Sequence, residues 1–434
     1  MGASLVVYSW LSSDALRPVG AVYGHSTANS MSAYRPDMTW DAIVVGLGAM
    51  GAATVAELAR RGRRVLGLEQ FALPHARGSS QGGTRIIREA YFEHPLYVPL
   101  VQRAYERWQA LERRSGVRLI VPTGGLTIGP PDGRLVTGAL ASAAVHGLAH
   151  AVLTATEVAE RYPAVRLPDG VVAVHEPRAG VLLAARAIAA LIDAARQDGA
   201  EIRTGAPITG WDVVDGGVRV VVDGETIEAE RLVLAAGSWL PALVPELSPD
   251  LQVERNVVHW FRPAEEAATA RGAGAFGPDR LPVLVIEDTP EHLLYALPSM
   301  RAEGDDLEDG VKFACHHSGV IAATADAVDR QPGAADVAAI RADVSRYLPG
   351  LDPEPVRSAV CTYTNTPDGH FLVDRHPRHD AVILVSPCSG HGFKFASILG
   401  DLVADLVADV NVHGMLAPFA ARRYSSPGIP SARR

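Results

Sequence analysis

Residues 41–69, DAIVVGLGAMGAATVAELARRGRRVLGLE, constrain the fold of this chain more than any other stretch. Residues 43–45 are a short β-branched run, the pattern of a strand buried on both faces. Gly46-x-Gly48-x-x-Gly51 follows. The first glycine suits a tight turn, the second lets backbone approach a pyrophosphate, and the third lets helix and strand pack closely. Residues 52–60 are rich in helix formers, and Gly62 suits the helix end. Phosphates belong at the start of that helix, where unpaired N–H groups and the dipole favour negative charge. Residues 65–68 read as a second strand closing on Glu69, where an acid can accept hydrogen bonds from ribose hydroxyls. Strand, glycine turn, helix, strand and acid in this order predict a dinucleotide-binding unit. The motif does not separate NAD from FAD.

The totals narrow the class. At 434 residues two or three domains are expected. A formal charge of -9 lacks the basic footprint of a nucleic-acid binder and disfavours adhesion to anionic membranes. No apolar run approaches the roughly 20 residues of a membrane span. Cys315, Cys361 and Cys388 form no CxxC pair, which argues against a zinc ribbon, a redox pair or a disulfide framework. No metal site is expected, and few cysteines without an export signal suggest the cytoplasm. Residues 1–39 lack a basic n-region and read as a disordered or mis-assigned leader, with Met31 or Met38 as alternative starts.

Beyond Glu69, the small polar run GSSQGG at 78–83 predicts a loop able to lie close to a ligand. Thr84, Arg85 and Arg88 follow, and a helical turn would put the two arginines on one face as ligand contacts. Residues 96–114, 134–146, 155–161, 184–197 and 334–348 read as helices. Strands are expected at 117–121, 126–128, 170–175, 201–203, 208–214, 218–222, 226–229, 231–237 and 381–385, with several more between 251 and 318. Residues 301–309 are acidic and glycine-containing, a surface loop by composition. SGHGFKF from Ser389 is a glycine loop feeding a helix, a second element suited to dinucleotide binding.

GLGAMG, GSSQGGTRIIREAY, GVKFACHH, CTYTNTPDGHF and SGHGFKF together make the chain resemble the monomeric sarcosine oxidase and N-methyltryptophan oxidase group, within the D-amino-acid-oxidase-like flavoproteins. The resemblance spans the chain from about residue 41 to the final helix. It implies an α/β fold with a discontinuous Rossmann-like FAD-binding domain (40–125, 180–245 and 360–434). An α+β substrate-binding domain with a mostly antiparallel sheet (126–179 and 246–359) completes it. It implies FAD rather than NAD, held by Gly46, Gly48, Gly51, Glu69, Thr84, Arg85, Gly390 and Gly392, and joined covalently through Cys361. It implies Lys312 beside the flavin ring to assist reaction with O2, with Arg85 packed on the flavin and His316 orienting the substrate. Arg88 and Lys394 match the substrate-carboxylate ligands, and Tyr91, Tyr295 and Tyr363 match cavity-lining tyrosines.

The implied activity is oxidation of a secondary amino acid such as sarcosine by a monomer, with O2 reduced to hydrogen peroxide. The alternative is a deaminating oxidase or dehydrogenase with non-covalent FAD. Two features depart from the family pattern. Gln81 stands where family members carry histidine, which leaves covalent attachment open, and the 301–309 insertion leaves the substrate side chain open.

Overall fold

Strand Trp40–Val45 is central to the first of three sheets. It pairs in parallel with Val65–Glu69 on one side and Glu225–Leu234 on the other. Glu201–Thr204 and His379–Ser386 extend the parallel core at its two ends. The antiparallel strands Ile208–Val214, Gly217–Val222 and Leu372–His376 complete it. Side chains alternate as strand geometry requires. Ala42 and Val44 pack under the helices Ala49–Arg60, Ala184–Gln197 and Ala396–Val407, while Ile43 and Val45 join the core on the opposite face. This double burial is what the β-branched run at 43–45 encodes. The computed structural model describes residues 40–424 apart from 266, 268–272, 305 and 318. The expected leader lies outside the described residues.

The second sheet is mostly antiparallel. Its order runs Val320–Ala322, Gln252–Phe261, Val311–His316, His292–Leu297, Val283–Thr289, Gly125–Gly129, Val172–Glu176, Ala151–Leu153. Strand Arg357–Asn365 pairs along Gln252–Phe261, with Cys361 opposite Asn256 and Tyr363 opposite Glu254. In Val311–His316, Phe313 and Cys315 face a core shared with Ile340 and Val344 of helix Ala334–Tyr347. Lys312, Ala314 and His316 therefore share the other face. A third, small sheet joins Thr84–Ile87, Gly180–Leu183 and Ile120–Pro122.

Several elements differ from expectation. Thr84–Ile87 is a strand paired with Gly180–Leu183, not a helical turn, because Ile86 and Ile87 are β-branched and a partner strand lies beside them. Arg85 and Arg88 consequently do not share a helical face. Residues 226–237 hold one strand, Glu225–Leu234, instead of two. Gly180–Leu183 and Ala151–Leu153 carry no alternating pattern and were not expected. The strand bearing Cys361 belongs to the second sheet, so a domain boundary at 360 falls inside it. The 301–309 segment is not wholly at the surface, since Leu307 is buried.

Candidate active site

The helix Ala49–Arg60 has Gly48 as its N-cap, a residue with no side chain of its own to cap the first turn. Gly46 has φ +87, and a Cβ there would meet the Ala235 carbonyl at 2.7 Å. A Cβ on Gly51 would collide with the Gly46 carbonyl. The turn is therefore closed to any larger residue at 46 and 51. Glu69 lies beneath it and accepts the N–H of Leu47 at 2.8 Å and of Phe71 at 3.1 Å. Burial pushes its carboxylate up, but His75 first and then these two N–H groups hold it below the usual range. Ser80 of the GSSQGG loop reaches over to accept the Ala49 N–H at 3.1 Å.

Around this turn opens a cavity of about 1240 Å³, larger than the few hundred Å³ a small ligand needs. Gly46, Gly48, Glu69, Thr84, Arg85, Cys361, Gly390 and Gly392 line it, as do Lys312, His316, Arg88, Tyr295, Tyr363 and Lys394. Gly51 and Tyr91 do not. Gly51 sits under the turn, and Tyr91 is fully buried behind the cavity wall. The glycine cradle, the open helix start and the volume fit a dinucleotide such as FAD.

One group of polar residues gathers where the second and third sheets meet. Arg85 donates to the carbonyls of Ser79 and Thr84 at 2.7 Å and of Gln81 at 2.6 Å, which wraps the GSSQGG loop around its guanidinium. Lys312 Nζ donates to the Thr84 carbonyl at 3.0 Å and lies 5.2 Å from the Trp260 ring centre. Burial, reinforced by Arg85, lowers its pKa to about 7. Cys361 is buried with Sγ 3.7 Å from the Ser79 carbonyl. Burial pushes its thiol up, while Arg85 and Lys312 pull it down. Gln81 Nε2 donates to the Val360 carbonyl at 3.3 Å, so this side chain lies against the backbone next to Cys361.

A second group lies around Lys394. Its Nζ donates to the His391 carbonyl at 2.8 Å and to the Tyr91 hydroxyl at 3.1 Å. Tyr91 also shares a 2.7 Å hydrogen bond with His391 Nδ1. Tyr91 thus supports the lysine instead of lining the cavity. Burial and the neighbouring Arg88 bring Lys394 down to about 7. Arg88 stacks on Tyr91 and Phe92 and gives one terminal nitrogen to both oxygens of Glu93, at 2.8 and 3.0 Å. His316 lies 3.4 Å from the Tyr363 hydroxyl, and burial beside His317 keeps it neutral, well below the usual histidine range.

Glu93, His391 and Glu308 line the cavity without having been singled out from sequence. His391 stands within the GHGFKF motif, and the motif's glycines drew attention away from it. Glu93 and Glu308 are acids in polar runs, which carry no periodic signal. Lys312 and Lys394 are the only lysines in the sequence, and the other 38 of its 40 basic lysine and arginine positions are arginine. Both lysines lie in this cavity. Elsewhere, among the described residues, Asp288, His292 and Asp343 have ligand-type atoms within 4.8 Å of one another. Arg346 and Tyr347 already bind Asp288, and His292 binds Asp343 at 2.9 Å.

A family model described as FAD dependent oxidoreductase matches residues 41–406. The chain belongs to this family. Within it, a monomeric sarcosine oxidase of Streptomyces avermitilis is 39% identical over 389 residues, covering 89% of this chain and 98% of that protein. An N-methyl-L-tryptophan oxidase of Salmonella agona is 32% identical, covering 89% of this chain and all of that protein at 100%. The solved structure of NikD, described as an unusual amino acid oxidase, superposes with a TM-score of 0.76 at 23% identity, covering 91% of this chain and 99% of that one. The FAD-dependent fold and the enzyme class expected from sequence are thereby established. Among the described residues no helix is long and apolar enough to cross a membrane.

Proposed function

We propose that this FAD-dependent oxidoreductase is an oxidase of secondary amino acids, acting on an N-methyl amino acid such as sarcosine and releasing hydrogen peroxide. The observation that carries the reading is the convergence of two separate cationic groups on one cavity. Lys394 and Arg88 suit a carboxylate, and Lys312 stands with Arg85 and Cys361 beside the nucleotide cradle. Names of relatives that act on sarcosine and N-methyl-L-tryptophan support it.

The residues divide the work. Lys394 supplies a point charge and Arg88 a planar fork to the substrate carboxylate, which fixes the amine against the cavity floor. Such positioning contributes about 7–11 kcal/mol when the geometry is productive. Arg88 Nη2 pairs with Glu93, so a substrate carboxylate would replace one carboxylate with another at this nitrogen. The amine reacts in its neutral form, and a buried, cationic cavity favours that form. His316, itself neutral, offers a hydrogen-bonding partner without adding charge. Bound FAD would supply the two-electron oxidant, accepting a hydride equivalent from the C–H bond next to the amine nitrogen, whose lone pair then forms C=N as the N–H proton is lost. O2 would take the two electrons and two protons to become hydrogen peroxide. The C=N product then hydrolyses to an aldehyde and the shortened amine. Lys312 presents a fixed cation where oxygen acquires negative charge in a dry site. Cys361 is the residue we assign to covalent attachment of the cofactor.

A substrate panel tests the assignment. Peroxide is expected with sarcosine or a longer N-methyl amino acid, and not with the matching primary amino acid. Oxidation of the primary amine alone, or turnover only with an artificial acceptor, overturns it.

A further inference from the structure

The 301–310 segment sits closer to the cavity than a surface loop should. Asp306, Leu307 and Glu308 all line it. Arg186, on the helix Ala184–Gln197, fastens the segment from outside by donating to the Glu303 carbonyl and to Asp306, each at 2.8 Å. Glu308 fastens it from inside. Its two oxygens accept the single N–H of Gly83 at 2.8 and 3.1 Å. A methyl group built on Gly82 would find Lys312 Nζ at 3.4 Å, Arg85 Nη1 at 3.7 Å and Glu308 Oε1 at 3.7 Å. Two cations and one carboxylate therefore converge on the turn that precedes Thr84. Arg357 completes the group, with Nη1 3.7 Å from Glu308 and its guanidinium 4.8 Å from the Trp260 ring centre.

We propose that Glu308 is a positioning residue for Lys312: its carboxylate locks the Gly82–Gly83 turn to the 301–310 segment and supplies the counter-charge for the Lys312–Arg85–Arg357 cluster. The proposal rests on the reading above, in which Lys312 must be cationic when oxygen reacts. Lys312 is buried, Arg85 is half-buried and Arg357 reaches the cluster from the exposed side, so the cations repel one another around a desolvated amine, and a single carboxylate offsets part of that cost. The groups facing Lys312 are Arg85 from Thr84–Ile87, Glu308 from the insertion, and Arg357 and Cys361 from Arg357–Asn365. Of these, Glu308 and Cys361 favour its charged form while the two arginines oppose it. The Cys361 thiol is pushed up by burial and so counts for little, which leaves Glu308 as the carboxylate facing Lys312. The same carboxylate bonds the backbone of the loop whose Thr84 carbonyl accepts from Lys312, so charge and geometry act through one residue.

The two-lysine composition makes the test direct. Enzyme labelled with 13C at lysine Cε gives two signals, and Lys312→Met identifies which belongs to Lys312. In the holoenzyme, Glu308→Gln should move the Lys312 titration midpoint down by about one pH unit or more, the size expected for loss of a close opposite charge. The Lys394 midpoint should stay in place as an internal control. Glu308→Asp, which keeps the charge, should restore most of the midpoint even where the shorter side chain loosens the turn. An unmoved Lys312 midpoint in Glu308→Gln, or equal movement of both lysines, overturns the proposal. Stopped-flow reoxidation separates it from the functional reading. If the midpoint falls, reoxidation of reduced Glu308→Gln should fail at a correspondingly lower pH, with reduction by substrate retained. A shifted midpoint with unchanged reoxidation keeps Glu308 as the partner of Lys312 and removes the oxygen role of Lys312 instead.

Discussion

Arg88 illustrates how a single side chain sets affinity. Its Nη2 binds both oxygens of Glu93 and its Nη1 the Ala90 carbonyl, so on the proposed function the substrate carboxylate would exchange with Glu93 and not form a wholly new ion pair. Exchange keeps the buried guanidinium from being unpaired at any stage, a state that would cost several kcal/mol. Glu93→Gln should therefore lower the KM several-fold, because the competitor loses its charge. Arg88→Ala should raise it about 10- to 100-fold, the worth of a charge-assisted hydrogen bond, with a smaller effect on flavin reduction at saturation. Steady-state kinetics and titration with a carboxylate inhibitor check both, and a KM unmoved in either variant removes the exchange. Cys361 makes a separate prediction. Acid precipitation should leave colour in the wild-type pellet and release it from Cys361→Ser. Colour in the wild-type supernatant would mean that burial of the thiol, with Gln81 beside it, has prevented attachment.

Elements that announce themselves do so through period or through steric demand. The βαβ unit was legible because Gly46 and Gly51 face backbone where a Cβ has no room, and the β-branched run at 43–45 fills both faces of a parallel strand. Gly51→Ala should accordingly prevent FAD retention or folding altogether, read by flavin content after purification. Retained flavin would show that the turn can relax. The longer helices expected at 96–114, 134–146, 184–197 and 334–348 were also legible, the first from its amphipathic spacing, and Ala184–Gln197 falls within the bounds expected for it. The strand Thr84–Ile87 was not, because four residues cannot display a period and its partner Gly180–Leu183 lies about a hundred positions away. The resemblance motifs located Lys312, Arg88 and Lys394, and the cavity does gather them. Tyr91 was misplaced by the same route, since a motif gives a neighbour in sequence but not which side of a wall it stands on. Glu308 and Glu93 were invisible for a plainer reason: an acid that pairs with a distant cation leaves no local trace.

At the scale of the whole molecule, using arginine at nearly every basic position has a thermodynamic consequence. Arginine stays protonated throughout the accessible range, so the side-chain cations that titrate between neutral pH and about 10 are the two lysines. Each sits at about 7 in the folded protein, depressed first by burial and then by a neighbouring arginine. In the unfolded chain each returns to about 10.4. Below pH 7 both states hold the proton, and folding bears the full cost of burying two charges. Between about 7 and 10 the unfolded state binds more protons than the folded one, so stability rises with pH across that window, by at most about 1.4 kcal/mol per pH unit for each lysine. The buried tyrosines act in the opposite direction only nearer pH 10, because their folded values are raised. Replacing Lys312 by Met should therefore stabilise the apoprotein at pH 7, by about 1–3 kcal/mol after allowance for the lost hydrogen bond to Thr84. The gain should shrink as pH approaches 10, where wild-type Lys312 is already neutral. Urea unfolding of the apoproteins at pH 7 and pH 9.5 measures this directly. Parallel offsets at the two pH values would show that Lys312 is not a buried, depressed amine. The same experiment on Lys394→Met should give the same convergence, and kinetics on the loaded enzymes would then show two lysines retained for what a neutral amine cannot do, at the expense of stability near neutrality.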